Sequence, residues 1–240
     1  AFATLDYSYF IAANSKRFGQ TPLVRLCDDG AYRLTDEFRS MLEQTTFRTF
    51  FTDTVEAGLF NALALAESSR KHHIRQNHGF LYGEKYSVFD VMRLCGWPAE
   101  QVPQNVGGYK LDTETGSLPI FIKYEASQYG DRFLNPGEIE WFSKNNRSLK
   151  SNEFRWLLDG TERTPEWQNR HFVPIFIRRK AEEQEKSYYF VGSAVALDDV
   201  HASVNPGEDG SESKVVISTL KLGKPVDPEL YRHLTGKSAL

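Results

Sequence analysis

At Gly79 the chain changes its periodicity, and this limits the fold more than any other feature of the sequence. Before it, apolar residues recur at helical spacing. Thr52-Asp53-Thr54-Val55-Glu56 opens an Ala/Leu-rich helix in which Val55, Leu59, Leu63 and Ala66 share one face. Thr35-Asp36-Glu37-Phe38 opens another, through about Gln44, with an acidic first turn suited to the positive end of a helix dipole. Phe18-Gly19-Gln20-Thr21-Pro22 reads as a turn before a short helix at 23–26. The polar, basic run from Arg70 to Gly79 is the natural boundary. It divides the chain into a helical N-terminal segment, 1–78, and a second domain, 79–240.

Beyond Gly79, one short helix spans Tyr86 to Cys95, with Ser87 as N-cap and Asp90 three residues on; Gly96-Trp97-Pro98 stops it. Runs of β-branched and aromatic residues then alternate with turn chemistry at 108–111, 118–124, 171–178, 188–195 and 214–220. Two of them carry an internal proline, Pro119 and Pro174, which marks a bulge or an edge. The segments 135–142 and 151–158 read as helices between strands, and 205–211 as an acidic hairpin loop. No internal repeat is present. The expected fold is α+β: a helical N-terminal segment followed by a small curved sheet or barrel with flanking helices.

Composition excludes several classes. In 240 residues, 40 % are hydrophobic and 25 % charged, which is neither disordered nor fibrous. No apolar run approaches the roughly 18 residues of a membrane span, and no secretory pattern opens the chain. Two cysteines, Cys27 and Cys95, make no disulfide framework, so a soluble protein of the reducing cytoplasm is expected. The net charge of −3 conceals an asymmetry. Residues 70–180 carry 17 Lys/Arg against 13 Asp/Glu, whereas 1–69 carry 6 against 9 and 181–240 carry 6 against 10. A basic face is therefore compatible with an acidic chain.

Motifs for catalysis do not emerge. His72, His73 and His78 lack the Glu of a zinc-protease helix and read as a solvated hinge. There is no nucleophile elbow and no phosphate-binding loop. Cys95 falls on an apolar helix face, where a buried thiol is inert. Glu183-Gln184-Glu185-Lys186 reads as a turn between strands rather than a metal-binding carboxylate cluster. No enzyme activity, cofactor or metal is expected. Basic and aromatic residues do interleave, from Tyr82 to Tyr86 and from Phe133 to Arg155. The stretch 141–155 sets Lys144, Arg147, Lys150 and Arg155 against Glu153 alone. Cations neutralise phosphates and aromatic faces receive bases, so this interleaving points to nucleic acid.

Several motifs, taken in order, resemble a known family. They are Leu81-Tyr82-Gly83-Glu84-Lys85-Tyr86-Ser87-Val88-Phe89-Asp90-Val91, Gly107-Gly108-Tyr109-Lys110, Pro119-Ile120-Phe121-Ile122-Lys123-Tyr124, Phe133-Leu134-Asn135-Pro136, 143–151 and Tyr188-Tyr189-Phe190-Val191-Gly192. The resemblance covers about 80–220 and is to the domain of unknown function at the C-terminus of bacterial superfamily 2 DEAD/DEAH-type helicases, several linked to restriction and phage defence. Residues 16–66 resemble, more weakly, the helical stretch that precedes it. Gly83 interrupts the family's compact run, and Asn145-Asn146 stands where more basic residues are usual.

The resemblance implies a PUA-like pseudo-barrel whose pocket receives a flipped nucleotide. Tyr82, Tyr86, Tyr109, Phe121, Tyr124 and Trp141 would line the pocket, Lys85, Lys144, Arg147 and Lys150 would grip phosphates, and Asn135 and Ser143 would add polar contacts. No helicase motor is present, so ATP hydrolysis does not carry over. The expectation is a non-catalytic module that recognises modified or altered DNA, with DNA ahead of RNA as the partner and no membrane. It would direct an associated helicase or nuclease. The alternatives are a protein-interaction or regulatory domain of a helicase and a cryptic metal-dependent nuclease.

Overall fold

A computed structural model describes residues 2–16, 21–71, 79–125, 130–159, 165–206 and 212–237. The chain divides into two compact units, Ala1–Ile74 with Trp97–Gln101 and Arg75–Gly96 with Val102–Leu240. The His72/His73/His78 hinge and the tip of the acidic hairpin, 207–211, lie outside the described residues.

The first unit contains helices α1 (Phe2–Leu5), α2 (Ala12–Ser15), α3 (Asp36–Glu43) and α4 (Thr45–Lys71), with strands β1 (Val24–Leu26) and β2 (Tyr32–Leu34). The segment expected as a helix at 23–26 is instead a strand. It pairs antiparallel with β2, and Asp29 closes the turn by accepting from the backbone N–H of Ala31 and the guanidinium of Arg33. Three residues are too few to nucleate a helix but enough for a hairpin rung. Helix α3 starts as expected, because the Thr35 hydroxyl accepts from Phe38 N–H. Phe38 is buried and packs edge-on against Phe47 and Phe51 of α4. Helix α4 begins seven residues before the expected start at Thr52. The Thr54 hydroxyl turns back to donate to the Phe50 carbonyl, so this polar cluster is absorbed within the helix. Its Val55, Leu59 and Leu63 are 42 %, 60 % and 66 % exposed.

The second unit is built on a seven-stranded mixed sheet with strands β3 (Lys85–Ser87), β4 (Ile120–Tyr124), β5 (Arg132–Asn135), β6 (Glu138–Phe142), β7 (Pro174–Arg179), β8 (Ser187–Pro206) and β9 (Glu212–Leu222). Its order is β4-β7-β8-β9-β6-β5, with β3 pairing on β8, and only β4–β7 is parallel. The first half of β8 pairs with β7 and the second with β9; bulges at 194/196 and 198/201 bend it between the two roles. A long bulged strand shared by two partners curls the sheet into a half-barrel. Helices α5 (Val88–Leu94), α6 (Pro103–Val106), α7 (Asn152–Leu157), α8 (Pro165–Arg170) and α9 (Pro228–Thr235) flank it. The α+β class and curved sheet expected from the sequence are what the chain adopts.

Both prolines open strands or immediately precede them, Pro174 as the first residue of β7 and Pro119 just before β4, where no ladder N–H is lost. Residues 108–111 form no strand, only a single bridge from Tyr109 to Ile120. The segment 135–142 corrects a helical expectation. Asn135 accepts from Gly137 N–H and donates to Glu138, closing a tight turn, after which residues 138–142 alternate between half-buried and buried. That alternation is the period of a strand. Ser87 caps α5 as expected, accepting from Asp90 N–H. The core gathers Ile120, Ile122, Ile139, Trp141, Phe154, Trp167, Ile175, Val191, Val216 and Leu220. Each aliphatic or Phe side chain so buried contributes about 1.5–3 kcal/mol relative to exposure.

Candidate functional site

Helix α6 ends on Gly107, whose φ of +48° turns the chain left-handed, and Gly108 follows at +88°. This double turn delivers Tyr109 to the bridge with Ile120 and starts the loop 109–113 along one wall of a cleft. The second wall is the turn after β6, bearing Lys144 and Arg147; it is fixed by Asn146 at φ +60° and by Arg147 N–H donating to the Lys214 carbonyl. The third is α7 and its end, where Asn152, Trp156 and Asp159 follow one another at helical spacing. The cleft they enclose has a volume of about 660 Å³.

Its floor is a hydrogen-bonded network. The Tyr109 ring packs edge-on against Trp141, centroids 5.0 Å apart, while its hydroxyl donates to Glu153 Oε1 at 2.9 Å and accepts from Lys144 N–H at 3.3 Å. The Lys144 ammonium donates to the Val106 carbonyl at 2.7 Å and lies 4.6 Å from the centroid of the Tyr109 ring. Burial lowers the pKa of Lys144, and the positive charges of Arg147 and Lys110 act in the same direction against Glu153. Arg147 Nε stands 3.0 Å from Glu153 Oε1, holding a buried carboxylate beside a cation. Burial, with Glu153 alongside, raises the Tyr109 pKa, so the phenol remains protonated.

Four cations, Lys110, Lys144, Arg147 and Arg155, line the cleft together with Asp112, Glu153 and Asp159. All three carboxylates have partners within the fold, Glu153 as above, Asp112 through the N–H and hydroxyl of Thr115, and Asp159 at 4.0 Å from the guanidinium of Arg170. Arg155 is exposed. The half-buried Trp156 is held through His171, whose ring lies 4.4 Å from the indole centroid and whose Nε2 bonds to the Trp156 carbonyl at 2.7 Å. Cationic groups beside an aromatic surface can neutralise phosphates and offer a stacking face.

Of the residues singled out from sequence, the fold brings Tyr109, Lys144 and Arg147 into this cleft. It commits others elsewhere, against the expectation of one ring-lined pocket. A ring needs an open face to stack on a base. Trp141 is 2 % exposed between Tyr109 and Phe154, Phe121 is 6 % exposed and stacked on Phe176, and Tyr124 packs on Phe133. The hydroxyl of Tyr82 accepts from Asp227 N–H, and that of Tyr86 from Leu81 N–H while its ring packs on Phe80. Lys85 is held by Glu182, Glu185 and the face of Tyr189. Asn135 closes the β5–β6 turn, and fully buried Ser143 accepts from Val216 N–H. Lys150 is exposed but outside the cleft lining.

Trp156, Asn152 and Asp112 were not singled out, and Arg155 entered only as part of a charge count. The available signal was the 3–4-residue spacing of Asn152, Trp156 and Asp159 behind Ser151. Burial pushes the Cys95 thiol up to about 12, which leaves it unreactive near neutrality. Glu183 pairs with Lys123 at 2.9 Å, so its carboxylate serves the fold. Among the described residues, no three His, Cys, Asp or Glu gather as a metal site, and no helix is long and apolar enough to cross a membrane.

An α+β domain with a half-barrel sheet and a mixed-charge cleft is the class these features define. The chain belongs to the family described as Domain of unknown function (DUF3427), whose model matches residues 80–234. A second family, Domain of unknown function (DUF8090), matches residues 1–66. No curated protein matches the chain. Among solved structures it is similar to the DNA recognition domain of the cytosine modification-dependent restriction endonuclease LpnPI, with 12% identity and a TM-score of 0.41 over 67% of this chain and 90% of that one. It is also similar to the SUVH5 SRA domain bound to fully hydroxymethylated CG DNA, with 12% identity and a TM-score of 0.40 over 64% and 97%. A third is the sulfur binding and SRA domains of ScoMcrA complexed with phosphorothioated DNA, with 16% identity and a TM-score of 0.35 over 65% and 45%.

Proposed function

We propose that residues 79–240 form a non-catalytic module that binds DNA, recognises an altered base or backbone extruded into the cleft, and directs an associated helicase or nuclease. The observation that carries this reading is the convergence of Lys144, Arg147 and Arg155 with Trp156 on one cleft of about 660 Å³. Lys144 and Arg147 are held by the Val106 carbonyl and Glu153, and the exposed Arg155 is the cation turned to meet phosphate. Extruding a base costs a few kcal/mol, which stacking and edge hydrogen bonds offset. The family resemblance supports the same reading.

Salt-dependent mobility shift with plain and modified duplexes tests it. The expected result is binding at low salt that weakens linearly in log salt. Arg155→Ala should weaken it on every sequence and reduce the slope by about one. Absence of binding to either duplex at low salt would overturn the reading.

The exposed Val55/Leu59/Leu63 face of α4 favours a second reading, a protein-interaction module acting through the first unit. Indifference to DNA at low salt, together with a partner bound through this face, would establish it instead.

A further inference from the structure

We propose that the cleft takes a base carrying a bulky, hydroxylated and uncharged substituent, such as a hexose, rather than a methyl group. This inference rests on the DNA-binding reading above. Its first ground is size. A pyrimidine of eight heavy atoms occupies on the order of 130 Å³ at the packing density of organic solids, whereas the cleft offers about 660 Å³. A single methyl is rewarded only where apolar walls close around it, and then by about fourfold in affinity. Here Tyr109 is nearly sealed, and the remaining apolar surface comes from Leu111 and Trp156.

The second ground is the chemistry of the open side. Thr113, Asn152 and Asp159 are exposed there, a hydroxyl, an amide and a carboxylate that lies 4.0 Å from Arg170. A sugar hydroxyl both donates and accepts, so it uses all three kinds of group, and a methyl uses none. Charge is the third ground. An anionic modification would meet Asp159 and Asp112 as well as the cations, whereas a neutral polyol is indifferent to mixed sign. Arg155, exposed at the same cleft, remains for a flanking phosphate.

Equilibrium binding with three duplexes of one sequence tests this, carrying at a single position cytosine, 5-methylcytosine or glucosylated 5-hydroxymethylcytosine. The glucosylated duplex should bind at least about tenfold more tightly than the plain one, as two or three added hydrogen bonds supply. The methylated duplex should stay within about fourfold of plain. Asn152→Ala and Asp159→Ala, each checked for an unchanged melting profile, should remove the preference. Methyl glucoside alone at millimolar concentration should not compete; competition would assign the cleft to free sugar and overturn the proposal. Equal binding of all three duplexes, or tightest binding of the methylated one, overturns it while leaving the DNA-binding reading intact. Binding of none overturns both.

Discussion

Tyr109 links the core to the cleft through a single oxygen. Its hydroxyl serves Glu153 and Lys144 N–H at once, while its ring carries the Lys144 ammonium. Tyr109→Phe keeps the ring and deletes the oxygen, leaving the buried Glu153 one donor short. Chemical denaturation should show a loss of about 1–3 kcal/mol. Asp131, just before β5, tests burial without partners of opposite charge. Its carboxyl accepts from Phe142 N–H at 2.8 Å, yet desolvation raises its pKa from 3.8 to about 7. Folding therefore favours the protonated form. The associated stability is full below about pH 4, is lost as pH rises through 7, and does not return above it. Asp131→Asn preserves the acceptor and removes the charge, so it should stabilise the protein at pH 8 by up to about 4 kcal/mol and leave it unchanged near pH 4. Thermal melting of both forms across that range is the measurement. At this scale the sequence was partly legible. Cationic and aromatic residue types identified Lys144, Arg147 and Tyr109. They did not reveal that Lys85, an equally basic neighbour of aromatics, would be consumed by Glu182 and Glu185 nearly a hundred positions away.

Strand β6 shows how element type and side-chain role are coupled. The residue types of Glu138-Ile139-Glu140-Trp141 suit a helix with an open Trp141 ring; as a strand, their alternation turns Ile139 and Trp141 into the core. The cue was the two-residue period of 138–142. Trp141→Ala should lower stability by about 3–5 kcal/mol, seen in the denaturation midpoint. A change in DNA discrimination with stability unaltered would contradict that placement. Elements defined by local chemistry were legible: the caps at Thr35 and Ser87, the Ala/Leu run of α4, and the strands β4, β7 and β9. The cleft itself was not, because its three walls come from residues 109–113, 144–147 and 152–159, which tertiary contacts such as Tyr109–Glu153, Lys144–Tyr109 and Arg147–Glu153 bring together.

For the molecule as a whole, net charge is a poor guide and local distribution a better one. The chain is acidic at −3, yet its middle section carries the cation excess, and the cleft draws on that section alone. In the first third, helices α3 and α4 were legible, whereas the β1–β2 hairpin was not. The central claim is that the cleft, rather than another surface, meets DNA. Hydrogen–deuterium exchange of the full chain, with and without a saturating modified duplex, tests it most directly. The account predicts protection concentrated in 109–113, 144–147 and 152–159. Unchanged exchange in those segments, with protection elsewhere on the chain, would contradict it.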